Sequence, residues 1–75
     1  MKVGQLIFDA ITQRMDIVYR DGTFHGGLNC GNTFEVLIDG HWHTARIEYS
    51  HGYGCWYLAG VRKHCRHIVG LTVRR

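Results

Sequence analysis

Proline is missing from the sequence, as are low-complexity tracts, repeats of solenoid period and any linker-like stretch. No apolar run is longer than a few residues, which excludes a segment that spans a bilayer. No segment repeats its apolar residues at i, i+3, i+4 and i+7 for long enough to predict a long helix. What remains is a series of short segments between ten glycines, which predicts one domain over residues 1–75.

The N-terminus lacks an apolar h-region and a small-residue cleavage site, so residues 1–5 do not predict a secretory signal. Cys30, Cys55 and Cys65 are odd in number and have no repeating spacing. A short secreted domain held together by disulfides usually has an even number of cysteines. These features predict a soluble cytoplasmic protein with reduced thiols and without a membrane partner.

Acidic residues are missing from the second part of the chain. Residues 1–48 contain four basic and six acidic side chains, whereas residues 49–75 contain five basic side chains and no acidic ones. The net charges of the two parts are therefore −2 and +5. This asymmetry favours an anionic partner such as nucleic acid or a nucleotide. The alternative is a solvated basic edge that keeps the protein soluble and prevents an end strand from pairing.

The clearest structural signal is a hairpin around Asp39-Gly40. The segments 33–38 and 42–49 flank this dipeptide, which supplies the positive φ angles of a type I′ turn. Alternation along both segments predicts a core-facing set and an outer set of side chains. Phe34, Val36 and Ile38 form the inward face of the first segment. One face of the second segment carries His43, Ala45, Ile47 and Tyr49, and its other, outer face carries Trp42, Thr44, Arg46 and Glu48.

Further strands are predicted at residues 5–9, 14–20, 55–59 and 68–74, with a turn at 10–13 and one helical turn at 62–67. Val69, Leu71 and Val73 are expected to share one face of the last strand, and Trp56 is expected to pack in the core. Closure of so small a sheet removes its open edges. The sequence therefore predicts an all-β domain, a small SH3-like barrel of five to six antiparallel strands with a short helical turn before the last strand.

Five stretches carry a resemblance to a known family: 27–31 (GLNCG), 34–42 (FEVLIDGHW), 45–48 (ARIE), 56–58 (WYL) and 70–74 (GLTVR). The chain resembles, over nearly its whole length, an uncharacterised family of short SH3-like β-barrel proteins from Firmicutes and their phages and mobile elements. The resemblance implies a small β-barrel from a bacterial or phage context, and it brings no catalytic residues with it. Many small phage proteins block a component of host defence. The resemblance therefore also implies an alternative function, that of an anti-CRISPR-like counter-defence protein that inhibits a host protein complex by direct contact.

Six histidines and three cysteines raise the question of a metal site. Residues 64–67 (HCRH), residues 41–43 (HWH) and Cys30 are the candidate ligands, but the sequence lacks the paired C-x2-C knuckles of most structural zinc sites. Cys30 or Cys65 is the candidate nucleophile of a thiol hydrolase, yet so small a domain has little room for a deep pocket that excludes water. We therefore expect no metal, no cofactor and no enzymatic activity.

A basic and aromatic surface is the remaining candidate site, because basic side chains attract phosphates and aromatic rings stack on bases. We predict a non-catalytic module that binds nucleic acid or a nucleotide, with homo-oligomerisation through a strand edge as a further option. Arg46 is expected beside Trp42 on the outer face of the hairpin, and Arg74 and Arg75 add positive charge. Tyr53 is expected to be exposed in a glycine loop. The predicted ligand-binding residues are Trp42, Arg46, Tyr53, Tyr57, Arg62, Lys63, His64, Arg66 and His67.

Overall fold

The computed structural model describes residues 1–61 and 67–75, which form one antiparallel sheet of six strands. In chain order the strands are β1 (Val3–Asp9), β2 (Arg14–Tyr19), β3 (Thr33–Ile38), β4 (His41–Ser50), β5 (Cys55–Ala59) and β6 (Thr72–Arg74). Their order across the sheet is β2-β1-β6-β3-β4-β5, so the short β6 lies between the hairpins β1–β2 and β3–β4. The all-β prediction is confirmed. Within the described residues there is no apolar helix of membrane-spanning length.

The β3–β4 hairpin forms as predicted. Asp39 and Gly40 have φ angles of 51° and 79°, the left-handed pair that a type I′ turn requires. The turn pairs Ile38 with His41, and the ladder continues from there along both strands. Aspartate tolerates the left-handed region better than most residues, and glycine adopts it without strain. This local chemistry fixes the register, and with it the face on which each side chain of the hairpin lies.

One face of the sheet is buried and forms the hydrophobic core, because strand alternation brings every second side chain to that face. Each fully buried aliphatic or aromatic side chain contributes about 1.5–3 kcal/mol relative to an exposed one. The buried set is Leu6, Met15, Ile17, Tyr19, Leu28, Phe34, Val36, Ala45, Ile47, Leu58, Ile68 and Val73. It draws on all six strands and on two connecting segments, which contribute Leu28 and Ile68.

The connection between β2 and β3 runs back along the outer edge of β2 and covers it. Three backbone hydrogen bonds form this cover: Tyr19 N–H to the Thr23 carbonyl (2.8 Å), His25 N–H to the Ile17 carbonyl (2.9 Å) and Leu28 N–H to the Met15 carbonyl (2.8 Å). Asp16 is only 7% exposed, and its Oδ1 accepts hydrogen bonds from the backbone N–H groups of Ile17 and Gly26. A strand edge paired in this way is protected against pairing with another chain.

The predicted closed barrel is wrong, because β2 and β5 are the two edges of an open sheet and do not pair with each other in the described part of the chain. The connection to β3 uses outward backbone groups of β2, so these groups are not available to β5. A hydrogen bond from Trp56 Nε1 to the carbonyl of Gln13 (3.1 Å) joins the two ends across the gap. The SH3-like assignment stays a prediction. The helical turn predicted at 62–67 falls mainly on residues 62–66, outside the described residues.

The last strand is shorter than predicted, since β6 begins at Thr72 rather than at residue 68. Gly70 has a φ of 90° and lies in a turn. The turn changes the predicted faces, because Ile68 is buried whereas Val69 is 57% exposed. The expectation that Val69 shares a buried face with Val73 is therefore wrong: the alternation of a strand does not continue through a left-handed glycine.

Gly4 is buried in β1, and a Cβ atom added there would overlap the Val18 carbonyl oxygen and lie 2.9 Å from Cγ2 of Ile17. We expect Gly4→Ala to lower the free energy of unfolding by about 1–3 kcal/mol, because the overlapping atom belongs to the backbone and cannot move easily. Gly52→Ala is the matched control, since the nearest atom, Ser50 Oγ, is 3.9 Å away. Urea unfolding followed by tryptophan fluorescence measures both variants. Equal stability of the two would contradict the close approach of β1 to β2.

Candidate binding surface

The outer face of the sheet, opposite the core, carries three of the five described residues that the sequence predicts to bind a ligand. We define it by the side chains of β3 to β6 that alternate with the core residues: Glu35, Leu37, Trp42, Thr44, Arg46, Glu48, Tyr57 and Arg74. The register brings Trp42 opposite Leu37 and Tyr57 opposite Glu48. Trp42 and Tyr57 are half-buried, whereas Arg46 is exposed.

The indole of Trp42 stacks against a guanidinium group from β6. The guanidinium carbon of Arg74 lies 4.2 Å from the centroid of the Trp42 ring, and its Nη2 donates to Oε2 of Glu35 at 2.9 Å. Glu35 stands opposite Arg74 in the register of β3 and β6, so the ion pair follows from the strand order. Arg74 Nε is buried and has no acceptor in the described part of the chain. One short strand thereby fixes an aromatic ring of the hairpin.

Arg46 is not the cation that lies beside Trp42. It is four residues further along β4, about 13 Å away at the rise of a strand, and its Nε donates to Oε2 of Glu48 at 3.0 Å. Arg74, and not Arg46, makes the predicted contact with the Trp42 ring. This contact depends on the pairing of β6 with β3, which no local sequence pattern encodes. The side chain of Arg46 is 52% exposed, so its ion pair is open to water and weak.

Tyr53 lies beyond the end of the outer face, in the turn between β4 and β5. It is 84% exposed, as predicted, and its backbone N–H donates to Oγ of Ser50 at 3.2 Å. His67 is exposed in the segment that leads to β6. The other predicted ligand-binding residues, Arg62, Lys63, His64 and Arg66, lie outside the described residues. The described candidates therefore divide into a group on the outer face and two residues elsewhere.

The formal positive charge of the chain is concentrated in a short stretch of sequence. Residues 1–61 and 67–75 contain six basic and six acidic side chains, so their formal charges cancel. The net charge of +3 is that of Arg62, Lys63 and Arg66. Both arginines of the outer face are paired with glutamates. The outer face therefore offers aromatic rings and paired arginines without an excess of positive charge.

Two carboxylates have a clearly lowered pKa, and both lie at turns away from the outer face. The pKa of Asp21 falls to about 2, because the hydroxyl and the backbone N–H of Thr23 donate to its Oδ1 and Lys2 lies 3.3 Å from its Oδ2. The backbone N–H of Ile11 lowers the pKa of Asp9 in the same way. These hydrogen bonds stabilise the turns that follow β2 and β1.

Among residues 1–61 and 67–75, no three His, Cys, Asp or Glu side chains lie close enough together to hold a metal ion. His41 and His43 are exposed on the same side of β4, and Cys30 is an exposed free thiol. Cys55 is disulfide-bonded, so the expectation of reduced thiols is wrong for this residue. Residues 64–66 of the predicted ligand cluster lie outside the described residues.

A family model for a domain of unknown function, DUF5348, matches residues 4–75 of the chain. The crystal structure of a protein from Ruminococcus gnavus is similar, with 36% identity and a TM-score of 0.84 over 99% of this chain and 100% of that chain. Ruminococcus gnavus is a Firmicute, the group to which the resemblance pointed. No curated protein matches the chain. The comparisons support the fold over its full length and assign no activity.

The Arg74–Glu35 pair is more enclosed than the Arg46–Glu48 pair, with side chains 33% and 22% exposed against 52% and 28%. We expect a double-mutant cycle with Arg74→Met and Glu35→Gln to give a coupling free energy of about 1 kcal/mol, because enclosed charges are less screened. The same cycle with Arg46→Met and Glu48→Gln should give less than about 0.5 kcal/mol. Urea unfolding at low and high salt measures both cycles. Equal coupling in the two pairs would show that the stack on Trp42 does not enclose Arg74.

Proposed function

The chain belongs to the DUF5348 family, a domain of unknown function, and from this premise we propose that it is a non-catalytic module whose outer face binds single-stranded nucleic acid. One observation carries the proposal: the half-buried indole of Trp42 is held by the Arg74 guanidinium at 4.2 Å, on the same face as Tyr57 and Arg46. A single nucleotide is the alternative ligand, because it offers the same combination of a base and a phosphate.

Aromatic rings on a sheet face form a platform for unstacked bases, and each stacked base contributes about 1–3 kcal/mol. Trp42 lies six residues before Glu48 on β4, and Tyr57 pairs with Glu48, so the two rings are about 20 Å apart at the rise of a strand. A nucleic acid that follows β4 would contact both rings. Arg46 lies between them, and its exposed guanidinium is able to exchange Glu48 for a phosphate.

The electrostatic part of the proposal depends on the sequence that follows β5. Arg62, Lys63 and Arg66 supply the formal excess of positive charge, and β5 with Tyr57 ends only a few residues before them. Attraction between basic side chains and phosphates supplies most of the sequence-independent affinity for nucleic acid. The proposal therefore assigns base stacking to the outer face and charge attraction to the basic stretch.

Fluorescence anisotropy with a labelled short oligothymidylate measures this binding. We expect Trp42→Leu and Tyr57→Leu each to weaken the affinity about tenfold, because each removes one stacking ring. Phe24→Leu is the matched control, since it removes a ring that is 61% exposed outside the outer face. An increase in salt from about 50 to about 200 mM should weaken the binding of the parent protein at least about tenfold.

Parental affinity in both ring variants, or affinity that does not depend on salt, would contradict the proposal. Trp42 also holds Arg74, so its variant is compared with the parent in urea unfolding, and Tyr57→Leu tests stacking without disturbing that contact. A mononucleotide that binds as tightly as the oligomer would assign recognition to one stacked base rather than to the length of the face.

Exposed apolar side chains near the β1–β2 turn favour a second candidate function. Ile11 is 95% exposed and Phe24 is 61% exposed, and both line a shallow groove together with Phe8. Clustered apolar side chains on a surface are typical of protein-interaction sites. On this basis we propose the alternative of a phage or mobile-element protein that inhibits a host protein complex in the cytoplasm by direct contact, in the manner of an anti-CRISPR protein.

A pull-down from nuclease-treated lysate of a Firmicute host tests this alternative. We expect a partner to be retained after nuclease treatment and to be lost when Ile11→Asp and Phe24→Asp are combined, because each substitution places a charge in an apolar contact. Tyr53→Asp, at a turn elsewhere in the sheet, is the control and should keep the partner. A partner that nuclease releases, or that the double variant still binds, would argue against direct contact through this groove.

A further inference from the structure

A groove opens on the core side of the sheet, where β5 approaches the turn between β1 and β2. Its volume is about 650 Å³. The floor consists of Met15 and Ile68, the wall of Tyr49 and Trp56, and the rim of Phe8 and Val69. Small-molecule sites are typically clefts of about 300–1,000 Å³ with a mainly apolar lining and a few polar groups. This groove has that size and that chemistry.

The aromatic wall of the groove has a fixed orientation. Trp56 packs against the core, and its Nε1 donates to the Gln13 carbonyl at 3.1 Å, which holds the indole in place. Tyr49 meets Trp56 edge-on, with ring centroids 5.2 Å apart and planes at 74°. It meets His51 in a similar way, at 5.1 Å and 72°. Rings that are already fixed lose little conformational entropy when a ligand packs against them.

The rim of the groove exposes two large apolar side chains to water. Phe8 is 42% exposed and Val69 is 57% exposed, whereas Met15 and Ile68 beneath them are almost fully buried. Removing apolar surface from water contributes about 25 cal/mol per Å². An apolar ligand in the groove would therefore cover both rim residues and rest on a buried floor.

The described lining residues include no Asp, Glu, Lys or Arg. Their polar groups are the Tyr49 hydroxyl, the Trp56 indole N–H and the side chains of Gln13, Cys30 and His51, together with backbone atoms. Against these described lining residues a charged ligand would lose its hydration without meeting an opposite charge, which is costly. The lining therefore complements an uncharged ligand with one polar substituent.

We propose that this groove is a binding site for an uncharged aromatic small molecule. Its ring packs against Trp56 and Tyr49, where edge-to-face contacts between rings are favourable. Its polar substituent meets Gln13, Cys30 or His51. The site is separate from the outer face, because none of its described lining residues is among the side chains that define that face, so it does not depend on nucleic-acid binding.

The probe that tests the proposal is N-phenyl-1-naphthylamine, an uncharged aromatic fluorophore that brightens in apolar surroundings. The titration uses the full chain with Trp42→Phe, which leaves Trp56 as its one tryptophan. We expect saturable binding of one equivalent, with a rise in probe emission and quenching of Trp56. 1-Naphthoate, an aromatic anion, should bind at least about tenfold more weakly, because the described lining residues offer it no cation.

Val69→Asp places a charge on the exposed rim and should weaken binding of the probe at least about tenfold without unfolding the protein. Ile11→Asp is the matched control, since Ile11 is 95% exposed and does not line the groove. Cys30 gives a second measurement: it is a free thiol in the lining, so bound probe should slow its alkylation by iodoacetamide several-fold. Binding that does not saturate, equal affinity for 1-naphthoate, or parental affinity in Val69→Asp would overturn the proposal.

Discussion

The hydrogen bond from the Trp56 indole to the Gln13 carbonyl joins the two ends of a sheet that backbone pairing leaves open. A sheet with one apolar face has to cover that face, and here all six strands contribute to one shared core. Gln13 has a φ of 60°, which is strained for a residue with a side chain, and its Nε2 donates to the Ala10 carbonyl at 2.7 Å. The strained backbone of this turn thus places the Gln13 carbonyl where Trp56 of β5 donates to it. The apolar groove lined by Trp56 and Gln13 lies beside this hydrogen bond.

The covering of β2 explains why the sheet does not close. A barrel forms only when its two edge strands exchange backbone hydrogen bonds, and β2 instead bonds to Thr23, His25 and Leu28. Asp16 reinforces this arrangement, because its buried carboxylate accepts a hydrogen bond from Gly26. Leu28 then enters the core, so the connection has the role that a closing strand would have. The edge is protected without a closed barrel.

Local chemistry in the sequence predicts the hairpins but not their arrangement. The φ preferences at Asp39-Gly40 and strict alternation are enough to place β3 and β4 and to separate Trp42 from the core. The insertion of β6 between β1 and β3 joins residues about 40 to 70 positions apart in sequence, and no local pattern specifies it. The sequence identifies Arg74 only as a source of charge, because its contact with Trp42 depends on that insertion. The apolar groove beside Trp56 is not predicted from the sequence for the same reason, because its lining residues come from segments that are distant in sequence.

The outer face also helps to hold the two halves of the sheet together. β6 pairs with β1 through three residues and with β3 through two, so its backbone ladder is short. Side chains on both of its faces compensate: Val73 is fully buried in the core, and Arg74 bonds to Glu35 and stacks on Trp42. The proposed function gives Trp42 a second role, beside that of anchoring a strand. Loss of binding in a Trp42 variant is therefore evidence for stacking only when Tyr57, which lies on β5 and takes no part in that anchor, gives the same result.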